Sequence, residues 1–198
     1  AFIRLRKPLS HFHAKYGTPL YGLNKLYLLM EKQHNRGQDG AGVGTIKLDP
    51  LPGLNYIDRE RSTDKQAIQK IFGKISKGYE DALKAEPGAA TDVELLKAHM
   101  PFLGEVLLGH LRYATFGKQG EENCHPRRRL NNWMTRNLVV AGNFNMTNVD
   151  ELFDLLVSIG QHPKERSDTM TVLEKIGHFL DVENDRLAQI HRQLGYSE

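Results

Sequence analysis

Cysteine is almost absent from this sequence: its 198 residues contain one, Cys124. A single cysteine excludes an intramolecular disulfide and a zinc site built on cysteine ligands. This scarcity is typical of a reducing compartment, and we expect a cytoplasmic location. Long apolar runs are absent too, since no stretch approaches the roughly 20 residues of a membrane span. The opening residues Phe2–Lys7 are too few and too basic for the apolar core of a signal peptide. We therefore predict no membrane partner.

The sequence also has little excess charge. Its net charge is +3, which is too small to indicate nucleic-acid binding. A local basic cluster, Arg127–Arg129, is interpreted as a solvated turn rather than a phosphate site. With 39% apolar and 26% charged residues, the composition is ordinary for a globular protein. The length suits one domain, with or without an insertion.

Hydrophobic periodicity predicts a mixture of strands and helices. Strands are predicted at Ala1–Leu5, Val43–Leu48, Val106–Leu108 and Asn137–Ala141. Helices are predicted at about 21–32, 62–86, 92–98, 149–159 and 168–180, followed by a helical tail at 184–196. Loops or irregular segments are predicted at 7–18, 49–58 and 118–132. His11 and His13 fall in the first loop and are interpreted as solvated rather than as metal ligands. The helical stretch at about 60–100 is interpreted as an insertion that packs on the sheet.

The segment Gly109–Gly117 continues a buried strand with polar side chains. Strict alternation places His110, Arg112 and Ala114 on one face of that strand. An arginine at the mouth of a buried strand needs an anionic partner, because an unpaired buried charge is expensive. The partner is either a structural aspartate or glutamate or the carboxylate of a ligand, which a guanidinium can bind through two parallel hydrogen bonds.

Glycine is concentrated between Gly37 and Gly44, where four of eight residues are glycine. This density predicts tight turns or the close approach of another backbone. The spacing is not a dinucleotide-binding fingerprint, because the strand–turn–helix order is lacking. Elsewhere, Asn143 follows a strand in the manner of a turn residue, and Asp168 has the pattern of a helix cap.

The glycine-rich segment and the strand of Arg112 resemble two motifs of the class II glutamine amidotransferases, N-terminal-nucleophile hydrolases that take ammonia from glutamine. Residues 33–42 read Gln-His-Asn-Arg-Gly-Gln-Asp-Gly-Ala-Gly and resemble the family signature HRGQDGAG, with Asn35 as an extra residue. Residues 109–117 resemble the family's GH-x-RYxTxG strand.

Further motifs of the same family follow in order. Residues 123–126, Asn-Cys-His-Pro, resemble N-x-[HQ]-P. Residues 141–148 resemble AHNGNLTN, and residues 167–169, Ser-Asp-Thr, resemble the later SDS or SDT. The match covers most of the chain outside the helical insertion. Within the family, the balance of motifs is most similar to that of the amidophosphoribosyltransferases.

This resemblance implies an α+β fold, a four-layer αββα sandwich of the N-terminal-nucleophile hydrolase type, with residues 1–198 as a glutaminase domain. It implies hydrolysis of glutamine to glutamate and ammonia, with ammonia passed to a synthase domain and accepted by phosphoribosyl pyrophosphate in purine synthesis. It implies no cofactor for this domain and no metal at its site. Magnesium is expected only in a phosphoribosyltransferase domain, whose acidic, glycine-rich phosphate loop we do not find in this sequence. The family is compatible with a homo-oligomer.

The resemblance also assigns the substrate-binding residues. Arg112 is expected to pair with the α-carboxylate of glutamine, and Thr115 to support that carboxylate. Asp168 is expected to pair with the α-ammonium group.

The catalytic residues follow from the same motifs. The side-chain amide of Asn143 and the backbone N–H of Phe144 are expected to donate to the oxyanion. Arg36 and Gly37 are expected to shape the wall near the nucleophile. The sequence departs from the family here, because Phe144 stands where the family has glycine and Gly142 where it has histidine.

The nucleophile is the second departure. The family begins with Cys-Gly-Ile, and its first cysteine attacks glutamine, whereas Ala1-Phe2-Ile3 corresponds to the place just after that tripeptide. We therefore expect the chain to be a piece of a longer protein, truncated at both ends. Cys124 is expected to be buried or inert, since it has no free α-amine. The alternative hypothesis is a non-catalytic module that binds glutamine or a partner.

Overall fold

The computed structural model describes residues 1–85, 92–113, 120–143 and 145–196. The chain divides into two compact units, Ala1–Pro126 and Arg127–Glu198. Within the described ranges, no helix combines the length and the apolarity needed to cross a lipid bilayer.

The first unit is built on a four-stranded antiparallel sheet. Its strands are β1 (Phe2–Arg4), β2 (Gly40–Ile46), β3 (Ile57–Ser62) and β4 (Val106–Arg112). Their order across the sheet is β1-β4-β2-β3, so β2 and β4 are the central pair. In that pair Arg112 lies opposite Gly40 and His110 opposite Gly42.

Four helices belong to this unit: α1 (Leu9–Tyr16), α2 (Tyr21–Lys32), α3 (Ala67–Ala85) and α4 (Val93–His99). α2 contacts β4, and α3 contacts β2 and β3. Both helices bury apolar residues spaced three or four apart, which form one stripe on a helix. The buried stripes comprise Leu23, Leu26 and Met30 of α2 and Ile68, Ile71 and Ile75 of α3. Each such side chain contributes about 1.5–3 kcal/mol relative to exposure, so this layer is the main core of the unit.

The loop predicted at residues 7–18 is wrong, because α1 lies within it. Pro8 and Gly17, which suggested a loop, are the boundaries of this helix. Pro8 precedes the first helical residue, and Gly17 adopts a left-handed conformation with φ of 71° and donates to the carbonyl of His13. The helix places His11 and His13 two residues apart, so their side chains point in different directions.

The loop predicted at 49–58 and the helix predicted from 62 are also corrected. Strand β3 occupies Ile57–Ser62, and α3 begins only at Ala67. β3 is an edge strand that pairs on one side only, and its polar side chains find partners elsewhere in the unit. Asp58, for example, accepts from the backbone N–H of Phe102 at 2.9 Å. The stretch at about 60–100 thus starts inside a strand, and its helices α3 and α4 supply core residues.

The second unit contains a short antiparallel pair, β5 (Arg127–Arg129) and β6 (Leu138–Val140), and two helices, α5 (Val149–Ser158) and α6 (Asp168–Gln193). The solvated turn predicted at Arg127–Arg129 is wrong, because these residues form β5. Arg127 pairs with Glu165 at 2.5 Å, and Arg129 pairs with Glu174 at 3.3 Å and Asp181 at 2.5 Å. Carboxylates on and before α6 therefore hold the strand.

The fold is a mixture of helices and antiparallel sheet, as the sequence predicted. Each unit contributes one sheet and helices packed on it. The four-layer αββα sandwich stays a prediction.

Candidate functional site

The glycines of β2 let another segment lie directly on the sheet. A methyl group on Gly42 would lie 1.8 Å from the carbonyl oxygen of His125, and one on Gly40 would lie 2.7 Å from Sγ of Cys124. Real Cβ atoms never come this close, so only glycine fits at these positions. The close backbone approach predicted for this region is confirmed. Its occupant is the Asn-Cys-His-Pro segment, residues 123–126.

Arg36, Gly37 and Arg112 come together at the end of β4. A methyl group on Gly37 would lie 2.8 Å from the carbonyl oxygen of Arg112, so the loop before β2 rests against that backbone. The same oxygen accepts a hydrogen bond from the N–H of Asp39 at 3.0 Å. Arg36 is exposed on the 3₁₀ turn His34–Arg36, immediately before Gly37. The structure thus clusters three predicted site residues that lie up to 76 positions apart in sequence.

Arg112 lies on the predicted face of β4. The imidazole rings of His110 and His125 are 4.6 Å apart, and Leu111 packs against the core on the opposite face. Arg112 is half-buried, and its guanidinium donates a hydrogen bond to the sulfur of Cys124. The sequence anticipated a carboxylate partner and did not anticipate this thiol.

Cys124 is buried, as predicted, with 0% exposure. Its thiol lies 3.7 Å from the carbonyl oxygen of Ser62. Burial raises the pKa of the Cys124 thiol, and the neighbouring Arg112 and Arg61 offset only part of that effect. A raised pKa leaves little thiolate near neutral pH, so this cysteine is a poor nucleophile.

The second unit holds Asn143 and Asp168. Ser167, rather than Asp168, caps α6 by accepting from the N–H of Met170 at 3.4 Å. Asp168 has a different role, because its carboxylate accepts from the backbone N–H of Met146 at 2.9 Å. This bond ties the start of α6 to the segment after β6, where Asn143 is exposed. Phe144 and Thr115 lie outside the described residues.

Sequence reasoning missed two contributors near Arg112. Cys124 was expected to be buried or inert and was given no role in the site, and Arg61 fell between the predicted loop at 49–58 and the predicted helix at 62–86. Arg61 Nη1 in fact donates to the carbonyl oxygens of Glu122 at 3.0 Å and Cys124 at 3.1 Å. The signal that could have revealed them is the pair Gly40 and Gly42, which requires a covering segment. In the part of the chain that the structure describes, no three His, Cys, Asp or Glu side chains are grouped to hold a metal ion.

Comparison with known proteins finds no matching family model. It does find relatives that are named as amidotransferases or aminotransferases. A glutamine–fructose-6-phosphate aminotransferase (isomerizing) from Sulfurisphaera tokodaii is 32% identical over 151 residues, 76% of this chain and 20% of the relative. An amidophosphoribosyltransferase from Archaeoglobus fulgidus is 26% identical over 170 residues, 84% of this chain and 29% of the relative.

A solved structure also matches: glutamine phosphoribosylpyrophosphate amidotransferase from B. subtilis in complex with ADP and GMP. It is 25% identical, has a TM-score of 0.46, and the match covers 74% of this chain and 24% of that chain. The chain therefore spans only about a fifth to a third of the length of these relatives. Over most of its own length, the chain is a homologue of glutamine–fructose-6-phosphate aminotransferases and of an amidophosphoribosyltransferase, which are class II glutamine amidotransferases.

Proposed function

We propose that this chain is the glutamine-hydrolysing part of an amidotransferase. The observation that carries the proposal is the register of β1 against β4. Phe2 lies opposite Leu108. The Ala1 nitrogen donates to the carbonyl oxygen of Gly109 at 2.7 Å, and the N–H of Gly109 donates to the carbonyl oxygen of Ala1 at 2.8 Å. Extending this register upstream sets the third residue before Ala1 opposite Arg112.

That upstream position is where the family places its nucleophile. Directly opposed residues of an antiparallel pair point to the same face of the sheet. A cysteine three residues before Ala1 would therefore project beside the Arg112 side chain, on the face that His110 shares. An independent feature of the fold thus supports the role that the resemblance gives to Arg112.

The proposed chemistry is attack of a cysteine thiolate on the side-chain amide of glutamine. The cysteine's own α-amine, with a pKa near roughly 8, accepts the thiol proton and returns it to the departing ammonia. Water then hydrolyses the thioester to glutamate. In this scheme Asn143 and the N–H of Phe144 donate to the oxyanion.

The remaining proposed roles concern the substrate. Arg112 binds the α-carboxylate with support from Thr115, and Asp168 binds the α-ammonium group. Arg36 and Gly37 form the wall beside the nucleophile, which agrees with their position against the end of β4. The carboxylate of Asp168 already accepts a backbone N–H, so it is held in place before glutamine arrives.

The acceptor of ammonia is a finer part of the proposal. We favour phosphoribosyl pyrophosphate, on the motif balance and on the amidophosphoribosyltransferase relative. Fructose 6-phosphate is the second candidate, because an aminotransferase named for that sugar matches at higher identity. Supplying each acceptor to the natural full-length protein with glutamine, and detecting the aminated product, distinguishes the two. A cytoplasmic location and a synthase partner domain belong to the same proposal.

Adding Cys-Gly-Ile before Ala1, with the cysteine as the first residue, should create glutaminase activity. The chain as it stands should release no ammonia from glutamine, because it lacks the nucleophile. The measurement is glutamate formation, with an Ala-Gly-Ile extension as the matched control. Glutamine binding without turnover in the extended chain would favour the non-catalytic binding module, and neither binding nor turnover would contradict both hypotheses. Turnover by the unextended chain would return Cys124 to consideration as the nucleophile.

Arg112→Lys in the Cys-Gly-Ile chain should raise KM for glutamine by about tenfold or more, because a point charge replaces a two-pronged donor. The kcat should change far less, since the carboxylate is bound equally in the ground and transition states. Arg4→Lys is the matched control, an exposed arginine at the other end of the sheet. Unchanged glutamine kinetics in Arg112→Lys would remove Arg112 from the site.

A further inference from the structure

A glycine brings Arg112 and Cys124 together. Arg112 ends β4 directly opposite Gly40, which presents no side chain. The space above Gly40 is occupied by the Cys124 sulfur, which would lie 2.7 Å from a methyl group on that glycine. The Arg112 guanidinium donates its hydrogen bond to this sulfur. The thiol therefore lies beside the arginine that the proposed function assigns to the α-carboxylate.

The thiol is held firmly where it lies. Arg61 donates to the carbonyl oxygens of Glu122 and Cys124 at 3.0 and 3.1 Å. The Cys124 N–H donates to the carbonyl oxygen of Glu121 at 3.0 Å, and its side chain is fully buried. A hydrogen-bond acceptor fixed by its own backbone can restrict the orientation of a longer, more mobile side chain.

The charge of the thiol matters as much as its position. Because burial raises the pKa of Cys124, the sulfur is protonated and uncharged near neutral pH. An uncharged partner does not cancel the positive charge of the guanidinium. An aspartate at the same position would form an ion pair with Arg112 and compete with a substrate carboxylate.

We propose that Cys124 is a positioning residue for Arg112: its thiol, packed over Gly40, accepts a hydrogen bond from the guanidinium and orients it toward the α-carboxylate of glutamine without forming an ion pair with it. The inference rests on the proposed function and adds a residue that the nucleophile hypothesis had set aside.

The test compares Cys124→Ala, Cys124→Ser and Cys124→Asp in the Cys-Gly-Ile chain. Cys124→Ala should raise KM for glutamine about tenfold while kcat per folded molecule stays within about twofold, because the contact that Arg112 makes with the carboxylate is weakened equally in the ground and transition states. Cys124→Ser should restore KM, since its hydroxyl also accepts a hydrogen bond. Cys124→Asp should raise KM further than alanine does. Calorimetric titration of the unextended chain with glutamine should rank the Kd values in the same order.

Thr45→Ala is the matched control, a buried residue on β2 well away from Arg112. It should lower the Tm and leave KM unchanged. The inference is overturned if Cys124→Ala keeps the parent KM, or if serine and aspartate give equal KM values. The comparison of the serine and aspartate variants tests the inference even if the alanine variant does not fold. The parent chains are measured first. A parent without glutamine binding or turnover contradicts the proposed function itself. An active parent whose Cys124 variants all keep the parent KM contradicts only the role of Cys124.

Discussion

Replacing Asn143 with alanine in the Cys-Gly-Ile chain should lower kcat by about 10²–10³, or roughly 3–4 kcal/mol, with little loss of glutamine affinity. The reason is that an oxyanion donor acts mainly when negative charge develops on the amide oxygen. Asn143 is exposed at the end of β6, in the segment that Asp168 holds through the N–H of Met146.

A turn residue would behave differently from an oxyanion donor. Losing a structural asparagine should lower the free energy of unfolding by about 1 kcal/mol and leave kcat per folded molecule nearly unchanged. Measuring Tm and kcat on the same sample separates the two roles. Asn148→Ala is the matched control, because that residue lies in the same segment and its side chain makes no capping hydrogen bond. A destabilised Asn143 variant with normal turnover would require a different oxyanion hole.

Helical periodicity was the most reliable sequence signal. α2 has the predicted bounds, Tyr21–Lys32, because its apolar residues recur every three or four positions and pack on β4. The helix predicted at 92–98 is α4, Val93–His99, and the carboxylate of Asp92 caps it by accepting from the N–H groups of Glu94 and Leu95. In both cases the information that determines the element lies within the element.

The missed elements depend on information outside their own residues. α1 has only one buried residue, Leu9, so its apolar stripe is weak, and its bounding proline and glycine resembled loop signals. The four central residues of β3 are charged, and its identity as a strand depends on pairing with β2. β5 consists of three arginines, and the carboxylate partners of Arg127 and Arg129 lie 38 or more positions further along the chain.

In the candidate site, too, features that depend on contacts between distant segments could not be predicted from the sequence. The motif resemblance predicted that Arg36, Gly37 and Arg112 share one site, which stays a prediction, and the structure places Gly37, the residue after Arg36, against the Arg112 backbone. The thiol beside Arg112 was not predicted, because Cys124 occupies the variable position of its motif. Only the packing of that motif on Gly40 and Gly42 brings the sulfur to the guanidinium.

Gly42→Ala should lower the free energy of unfolding by about 3 kcal/mol, because overpacking of a fixed structure costs typically 1–3 kcal/mol and this contact is severe. The new methyl group would lie 1.8 Å from the carbonyl oxygen of His125 and 2.9 Å from its carbon. Both atoms are backbone, so no side-chain rotation relieves the clash. In a chain of this size the Tm should fall by about 6–12 °C, at roughly 2–4 °C per kcal/mol.

The clash should also alter the site, because the segment it displaces carries Cys124. We therefore expect Gly42→Ala in the Cys-Gly-Ile chain to raise KM for glutamine in addition to lowering Tm. Gly73→Ala is the matched control: that glycine lies inside α3 with nothing within 4 Å of the added methyl group. Alanine there should stabilise the helix by about 1 kcal/mol and leave KM unchanged. Equal Tm values for the two alanine variants would mean that residues 123–126 do not rest on β2, and the contact between Cys124 and Arg112 would then lose its structural basis.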